Sequence, residues 1–316
     1  MKPLAFIIGI SSTKLTYDEI SFLKKNSIYG IILFKRNIAN VNQVFCLTNS
    51  INFFSKNKNI LIIVDQEGGR VNRFSSVIDL QKFNAKYFGD FYRDSFFIKK
   101  ILYFLNINLN LLKNSGINTN TYPVMDLYKN PSNGIIGNRA FSSNPKIVKT
   151  ISNLIINFFN KNSIVSVTKH IPGHGSTSVD SHFSLPVIHK TLKELLDSDF
   201  YPFNNLNSLL TMTAHILYSK IDNKNCATQS KIIIQDIIRG KLAFKGIIMT
   251  DDISMKALKG SLKNNIYKSL DAGCNIILHC NGKINEVYEL VKIIPEIDSF
   301  TRNVTSKVVN IFKKNT

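Results

Sequence analysis

Short, almost uninterrupted apolar runs recur along the chain, and each is followed by a longer stretch whose apolar positions fall at helical spacing. The runs are Leu4 to Ile10, Gly30 to Phe34, Ile60 to Asp65, Ile117 to Asp126, Ile164 to His170, Leu209 to His215, Gly246 to Asp251 and Asn275 to Cys280, eight in all. Runs of this kind mark strands covered on both faces, as in a parallel sheet with helical crossovers. The segments between them carry helix-start chemistry. Thr16-Tyr17-Asp18-Glu19 and Thr191-Leu192-Lys193-Glu194 spell capping boxes, and Asn144-Pro145 is an N-cap followed by Pro at the first helical position. Eight strands alternating with helices in 316 residues predict an α/β fold, a (β/α)8 TIM-type barrel formed by residues 1–316 as a single domain. A doubly wound open sheet is the alternative. No Pro/Gly/Ser-rich linker and no second composition zone divides the chain.

Barrels of this kind hold their chemistry at the C-terminal ends of the strands. Six of the eight predicted strands end in polar groups: Asp65, Asp126, Lys169-His170, His215, Asp251-Asp252 and Cys280-Asn281. Apart from Asn275, the opposite ends begin with Gly30, Gly246 or apolar residues, so the polar groups collect on one face.

Composition changes this picture little. With 44% hydrophobic residues and 22 Phe, a large core can be buried, which excludes wholesale disorder and a small disulfide-stapled scaffold. There are 40 Lys+Arg against 21 Asp+Glu, a net charge of +19. The lysines are scattered singly or in pairs, as at Lys24-Lys25, Lys99-Lys100 and Lys313-Lys314, without a long basic run or a basic-aromatic array. A chain rich in Asn, Ile and Lys through codon bias has such a surface without a partner, so no nucleic acid is expected. The cysteines, Cys46, Cys226, Cys274 and Cys280, include no C-x-x-C pair. Buried free thiols in a reducing compartment are expected rather than a thiolate zinc site. Met1-Lys2-Pro3 and the apolar run after it read as a first strand, because Pro3 comes early and no small-x-small cleavage site follows. No apolar stretch approaches the ~20 residues that cross a bilayer. A cytoplasmic location with no membrane partner is expected.

Three segments carry candidate chemistry. In Lys169-His170-Ile171-Pro172-Gly173-His174-Gly175-Ser176-Thr177-Ser178-Val179-Asp180-Ser181-His182, His170 and His174 have the spacing of a zinc helix. No Glu stands between them, and Pro-Gly breaks the helix that would face both rings to one ion. A phosphate loop fails for lack of a closing Lys-Ser/Thr. The remaining reading is a mobile Gly-containing loop that delivers Asp180 and His182, the carboxylate orienting the imidazole for acid/base work near neutral pH. The second segment, Asp65-Gln66-Glu67-Gly68-Gly69-Arg70-Val71-Asn72-Arg73, places carboxylate and guanidinium groups in one loop, the groups that grip sugar hydroxyls or small anions. Arg139 adds a cation before a helix start. In the third, Phe244 to Met255, Asp251 stands at a strand tip where an ionised carboxylate can attack carbon, with Asp252 beside it to orient the loop.

On these residues the chain resembles glycoside hydrolase family 3 and, within it, the single-domain bacterial β-N-acetylglucosaminidases. The likeness runs through Gly30 to Asn37, Asp65 to Phe74, Pro123 to Asp126, Ile136 to Pro145, Lys169 to Pro186, Met212 to His215, Gly246 to Met255 and Asp271 to Leu278. The Lys-His-x-Pro-Gly-His-Gly loop ending in Asp-Ser-His is specific to that subgroup. The resemblance implies a retaining exo-glycosidase with Asp251 as nucleophile and His182 as proton donor and acceptor, assisted by Asp180. It implies that Asp65, Arg73, Arg139, Lys169 and His170 bind N-acetylglucosamine. The implied substrate is a small-molecule muropeptide or amino sugar, N-acetylglucosamine linked to 1,6-anhydro-N-acetylmuramic acid in peptidoglycan recycling. No metal or organic cofactor is implied, and the chain is expected to act as a monomer. The same machinery in a phosphorylase, or a non-catalytic sugar-binding barrel, are the alternatives. Two departures stand beside the motifs. Gly175-Ser176-Thr177 replaces the usual Gly-Asp-Thr, and Asn120-Thr121-Tyr122-Pro123 replaces Asn-Phe-Ala-Pro, which bears on fine substrate preference. Neither pattern nor resemblance gives His174, His215 or Asp126 a role.

Overall fold

The computed structural model describes residues 2–129, 135–176 and 185–313. Eight strands close into a parallel barrel: β1 (Leu4–Gly9), β2 (Ile28–Leu33), β3 (Leu61–Val64), β4 (Thr119–Asn120), β5 (Val165–Ile171), β7 (Leu210–Thr213), β9 (Ile247–Asp252) and β10 (Ile276–His279). The two strands that complete the numbering, β6 (Val187–Ile188) and β8 (Leu217–Tyr218), pair with each other outside the barrel. All eight predicted runs are barrel strands. The seam closes because β1 pairs on one side with β2 and on the other with β10, Ile8 standing opposite both Ile31 and His279. That double pairing replaces the open-sheet alternative.

Every residue of β2, β3, β5 and β10 is buried, as strands sandwiched between a filled interior and a helical layer must be. The fourth strand is much shorter than its apolar run. Past Asn120 the chain meets Pro123, which has no N–H to give the ladder, and only an isolated bridge from Val124 to Lys169 carries the pairing on. Met125 N–H then donates to the Lys169 carbonyl at 2.7 Å, so the irregular stretch still follows β5 to Asp126. The β6–β8 pair had no signal in the sequence, since two residues per strand are too few to show a period.

The helices are α1 (Tyr17–Lys25), α2 (Val41–Phe54), α3 (Ala85–Asp90), α4 (Phe97–Asn114), α5 (Pro145–Lys161), α6 (Leu192–Leu196), α7 (Leu262–Ala272), α8 (Ile284–Leu290) and α9 (Ser299–Phe312). Both capping boxes form, at Thr16 before α1 and Thr191 before α6, and the Asn144 side chain caps α5. On α5, Val148, Ile151, Ile155, Ile156 and Phe159 are buried, one stripe at helical spacing pressed onto the barrel. Cys226 and Cys274 are buried free thiols as expected. Cys46 departs from that expectation, standing exposed on α2, and Cys280 is half-buried at the end of β10. Among the described residues no helix is long and apolar enough to cross a membrane.

The N-terminal end of the barrel is tied by Arg239, in the π-helical segment Ile232–Lys241. Its Nη1 donates to the carbonyls of Phe244 and Gly246, and Nη2 to Asn275 Oδ1, which also accepts the N–H of Ile248. One guanidinium thus holds the starts of β9 and β10 together. Arg239→Met keeps the packed stem and leaves these acceptors short of a donor. It should lower unfolding free energy by about 2–3 kcal/mol, measured by urea denaturation. An unchanged denaturation midpoint would show the clamp to be dispensable.

Candidate active site

The polar strand ends meet at the C-terminal mouth of the barrel, around a cavity of about 320 Å³. Asp65, Arg73, Arg139, Lys169, His170 and Asp251 all line it. The resemblance placed these six together, and the fold does so from four separate stretches of chain. His182 and Asp180 lie outside the described residues.

One wall is a chain of alternating charges. Lys169, buried at the end of β5, reaches Asp65 Oδ1 at 3.0 Å, Glu67 Oε1 at 2.6 Å and Thr121 Oγ1 at 2.8 Å. Arg73 donates to Asp65 Oδ2 at 2.8 Å, and Thr121 donates to Asp65 Oδ1. At the other end Arg139 grips Glu67 with two parallel bonds, Nε to Oε2 at 2.8 Å and Nη2 to Oε1 at 2.9 Å. This fork geometry matches a planar guanidinium to a carboxylate and strengthens the pair. Burial works against ionisation of Asp65, but Lys169 and Arg73 outweigh it and hold the carboxyl far below its ordinary range. Burial likewise opposes the charge on Glu67, and Arg139 and Lys169 bring its pKa down to about 2. Burial disfavours the Arg139 cation too, yet Glu67 raises its pKa further. Arg73 also lies against the Phe34 ring, 5.3 Å from its centroid.

The sequence motifs do not mark Glu67 and Thr121 as parts of this wall, nor Asp126 as the partner of His170. A signal existed for Glu67: it stands two residues after Asp65, and in extended chain such positions face the same side. Thr121 is one of the departures from the family pattern, and it brings a hydroxyl into contact with two of the proposed sugar-binding groups. Arg70, quoted in the same loop, instead crosses to the Ile135 carbonyl and braces the segment leading to Arg139.

A second wall centres on Asp126. Its Oδ2 meets His170 Nδ1 at 2.7 Å, and its Oδ1 accepts the His174 amide at 2.7 Å. Burial raises the Asp126 pKa, but His170 more than reverses this, so the group is a carboxylate. A carboxylate only accepts, so His170 Nδ1 keeps its proton and donates to it, and Nε2 is the nitrogen left for other partners. His174 is buried beside it, its pKa pushed by burial down to about 4, so its ring is neutral at pH 7. Two residues on, Ser176 Oγ and Lys190 Nζ both bond Asp199, at 2.7 and 3.0 Å to Oδ2. Gly173, at φ 142°, has no room for a side chain because a Cβ would lie 2.5 Å from the Asp199 carbonyl. Tyr218, on β8, donates to the Gly173 carbonyl at 2.6 Å. The small outer sheet thus positions the start of the His-rich loop.

Asp251, at the end of β9, completes the site. Its Oδ1 accepts the Asp252 amide at 2.8 Å and its own amide donates to Thr213 Oγ1 at 3.3 Å. Burial raises its pKa, and the groups around it, the Asp252 amide and Lys169 among them, bring it below the ordinary value. Asp252 turns away from it to accept from Ser254 N and Oγ at 3.1 and 2.7 Å and from the Cys280 amide at 3.2 Å, which ties the loop after β9 to the end of β10. The arrangement therefore offers an ionised carboxylate facing a dense wall of fixed donors and acceptors.

The family model described as "Glycosyl hydrolase family 3 N terminal domain" matches residues 6–313. The chain is 33% identical over 287 residues to a beta-hexosaminidase of Stenotrophomonas maltophilia (strain K279a), covering 88% of this chain and 84% of that protein. Among solved structures, NagZ from Neisseria gonorrhoeae in complex with zinc ion superposes with a TM-score of 0.86 at 30% identity, over 98% of this chain and 90% of that one. NagZ from the same organism in complex with N-trifluoroacetyl-D-glucosamine superposes with a TM-score of 0.82 at 27% identity, over 99% of each chain.

The charge wall makes a prediction about stability. Asp65, Glu67 and Asp126 have folded-state pKa values below their ordinary ones of about 4. Their contribution is therefore complete above about pH 5 and is lost as pH falls toward their folded values. Glu67→Gln leaves Arg139 and Lys169 without their shared counter-charge. It should cost about 3–5 kcal/mol at pH 7 and make stability fall less steeply between pH 5 and 3, followed by urea denaturation across that range. A parallel pH dependence in variant and wild type would contradict the assignment.

Proposed function

The chain belongs to glycosyl hydrolase family 3 and is a β-N-acetylhexosaminidase, and on that premise we propose that it removes terminal N-acetylglucosamine with retention of configuration. The observation that carries the reading is the ionised Asp251 carboxylate on the cavity wall, in the same pocket as Asp65, Arg73, Arg139, Lys169 and His170. The complex of the Neisseria gonorrhoeae relative with N-trifluoroacetyl-D-glucosamine supports an amino sugar as the occupant. A hexose bound there meets carboxylates and cations whose positions are already set, so little ordering remains at binding.

The mechanism proceeds in two displacements. Asp251 attacks the anomeric carbon, forming a glycosyl ester as the bond to the leaving oxygen breaks. His182, oriented by Asp180, gives that oxygen its proton. In the second step His182 takes a proton from water, whose oxygen displaces Asp251 from the same carbon and frees the sugar. The roles of His182 and Asp180 rest on the motif. His170, with Nδ1 held by Asp126, presents Nε2 to a sugar hydroxyl, and Lys169 and Arg73 hold Asp65 ionised to accept others. The natural substrate in this reading is N-acetylglucosamine linked β-1,4 to 1,6-anhydro-N-acetylmuramic acid, with or without peptide, in cytoplasmic peptidoglycan recycling. One barrel supplies all of these groups, and no cofactor enters the steps.

The test is release of nitrophenol from 4-nitrophenyl β-N-acetylglucosaminide. Asp251→Ala should abolish it, and His182→Ala should lower it by about 10²–10⁴-fold, the deficit shrinking with a dinitrophenyl leaving group that needs no proton. Near wild-type turnover in Asp251→Ala would sink the nucleophile assignment. Added phosphate should leave the rate and the free-sugar product unchanged, whereas a sugar phosphate product would establish a phosphorylase.

A further inference from the structure

His215 is fully buried just past the end of β7 and does not line the cavity. Its two ring nitrogens meet a hydroxyl and a carbonyl: Nδ1 lies 2.7 Å from Thr228 Oγ1, and Nε2 lies 3.1 Å from the carbonyl oxygen of Asp252. A carbonyl only accepts, so Nε2 carries a proton. Burial disfavours a second proton, and it lowers the pKa of this ring, so Nδ1 is bare and accepts from Thr228.

The direction of every further bond follows. Thr228 has one hydroxyl proton, with the carbonyl of Ala214 a longer alternative at 3.1 Å. Given to Nδ1, it leaves the Thr228 oxygen to accept from Thr213 Oγ1, 2.8 Å away. Thr213 Oγ1 in turn accepts the Asp251 amide at 3.3 Å. A one-way relay therefore runs from Asp251 N–H through Thr213, Thr228 and His215 to the carbonyl of Asp252. It grips the chain before Asp251 and after Asp252. Between those two points the Asp252 amide donates to Asp251 Oδ1 at 2.8 Å, so the backbone that the relay holds is what orients the carboxylate.

We propose that His215 is a positioning residue for Asp251: as the neutral tautomer with its proton on Nε2, it closes a hydrogen-bonded ring that fixes the backbone carrying the Asp251 carboxylate, and it does not touch the sugar. The proposal rests on Asp251 being the nucleophile. Reaction at the anomeric carbon needs the carboxylate oxygen in line with the breaking bond, and a displacement of about 1 Å can cost on the order of 100-fold in rate. A relay that orients the carboxylate without contacting the sugar should act on kcat and leave KM nearly unchanged.

The full chain is the test object. Thr228→Val removes the relay hydroxyl at nearly constant volume, Thr228→Ser keeps it, and His215→Gln keeps one donor and one acceptor at similar separation. With 4-nitrophenyl β-N-acetylglucosaminide, Thr228→Val should lower kcat by about 10–100-fold with KM within about twofold, and Thr228→Ser should restore most of the loss. Thermal melts of each variant separate this from partial unfolding. A Thr228→Val enzyme with wild-type kcat, or a loss that Thr228→Ser does not reverse, would overturn the proposal. A second readout does not depend on turnover. In ¹⁵N spectra of the histidine rings at pH 7, the signal that Thr228→Val displaces and His215→Gln removes should show a protonated Nε2 and a bare Nδ1. An imidazolium, or a proton on Nδ1, would also overturn it. If the nucleophile reading is what fails, Asp251→Ala keeps its turnover while this ring signature persists.

Discussion

The alternating charges Arg73, Asp65, Lys169, Glu67 and Arg139 are the constraint on which the site depends. Taking such a row of charges largely out of water is costly, and it is tolerated only if each carboxylate oxygen is matched with donors at close range. Here Asp65 and Glu67 each have both oxygens occupied, and Lys169 sits between them. Satisfying them requires the loop after β3, the irregular stretch after β4, the end of β5 and the segment around Arg139 to converge within hydrogen-bond distances. The register of β3 against β4 and of β4 against β5 supplies that convergence. With three cations to two carboxylates, the wall keeps a positive excess, and its Lys169 favours the ionised form of Asp251, which lines the same cavity.

The histidines divide by what faces their ring nitrogens. His170 meets the carboxylate of Asp126, which sets its tautomer and aims Nε2 away from that partner. His215 meets a threonine hydroxyl and a backbone carbonyl, and with no carboxylate at either nitrogen burial decides its charge. His174 is pushed the same way by burial although Asp126 lies nearby. One barrel mouth therefore holds imidazoles with different duties, and the residue type alone distinguishes none of them. The small sheet of β6 and β8 belongs to the same positioning apparatus, because Tyr218 on β8 holds the carbonyl of Gly173 at the root of the His-rich loop.

Periodicity made the barrel legible. Strands buried on both faces read as continuous apolar runs, and Thr16, Thr191 and Asn144 announced their helices through side chains that bond the next turn. These are short-range effects, so a single sequence contains them. The fourth strand was over-extended because the apolar run continues through Pro123, and the pattern does not register a missing N–H. Asp65, Lys169 and Asp251 were legible as ionisable groups at strand tips, where a core would exclude them. Glu67 is not legible in the same way, because its worth lies in Arg139 and Lys169, far away along the chain.

The sequence by itself determined the eight strands, their helical crossovers, the end of the barrel that carries polar groups, and the family motifs that run from Asp65 to Asp251. Tertiary structure alone decided which of those groups are partners. It put Thr121 between Asp65 and Lys169, gave Asp126 to His170, and turned His215 away from the cavity toward Thr228 and the backbone of Asp252. The reason is physical. Strand and helix formation depend on neighbours a few residues apart, whereas the charge and tautomer of a buried group depend on distances to atoms that only closure of the barrel brings near.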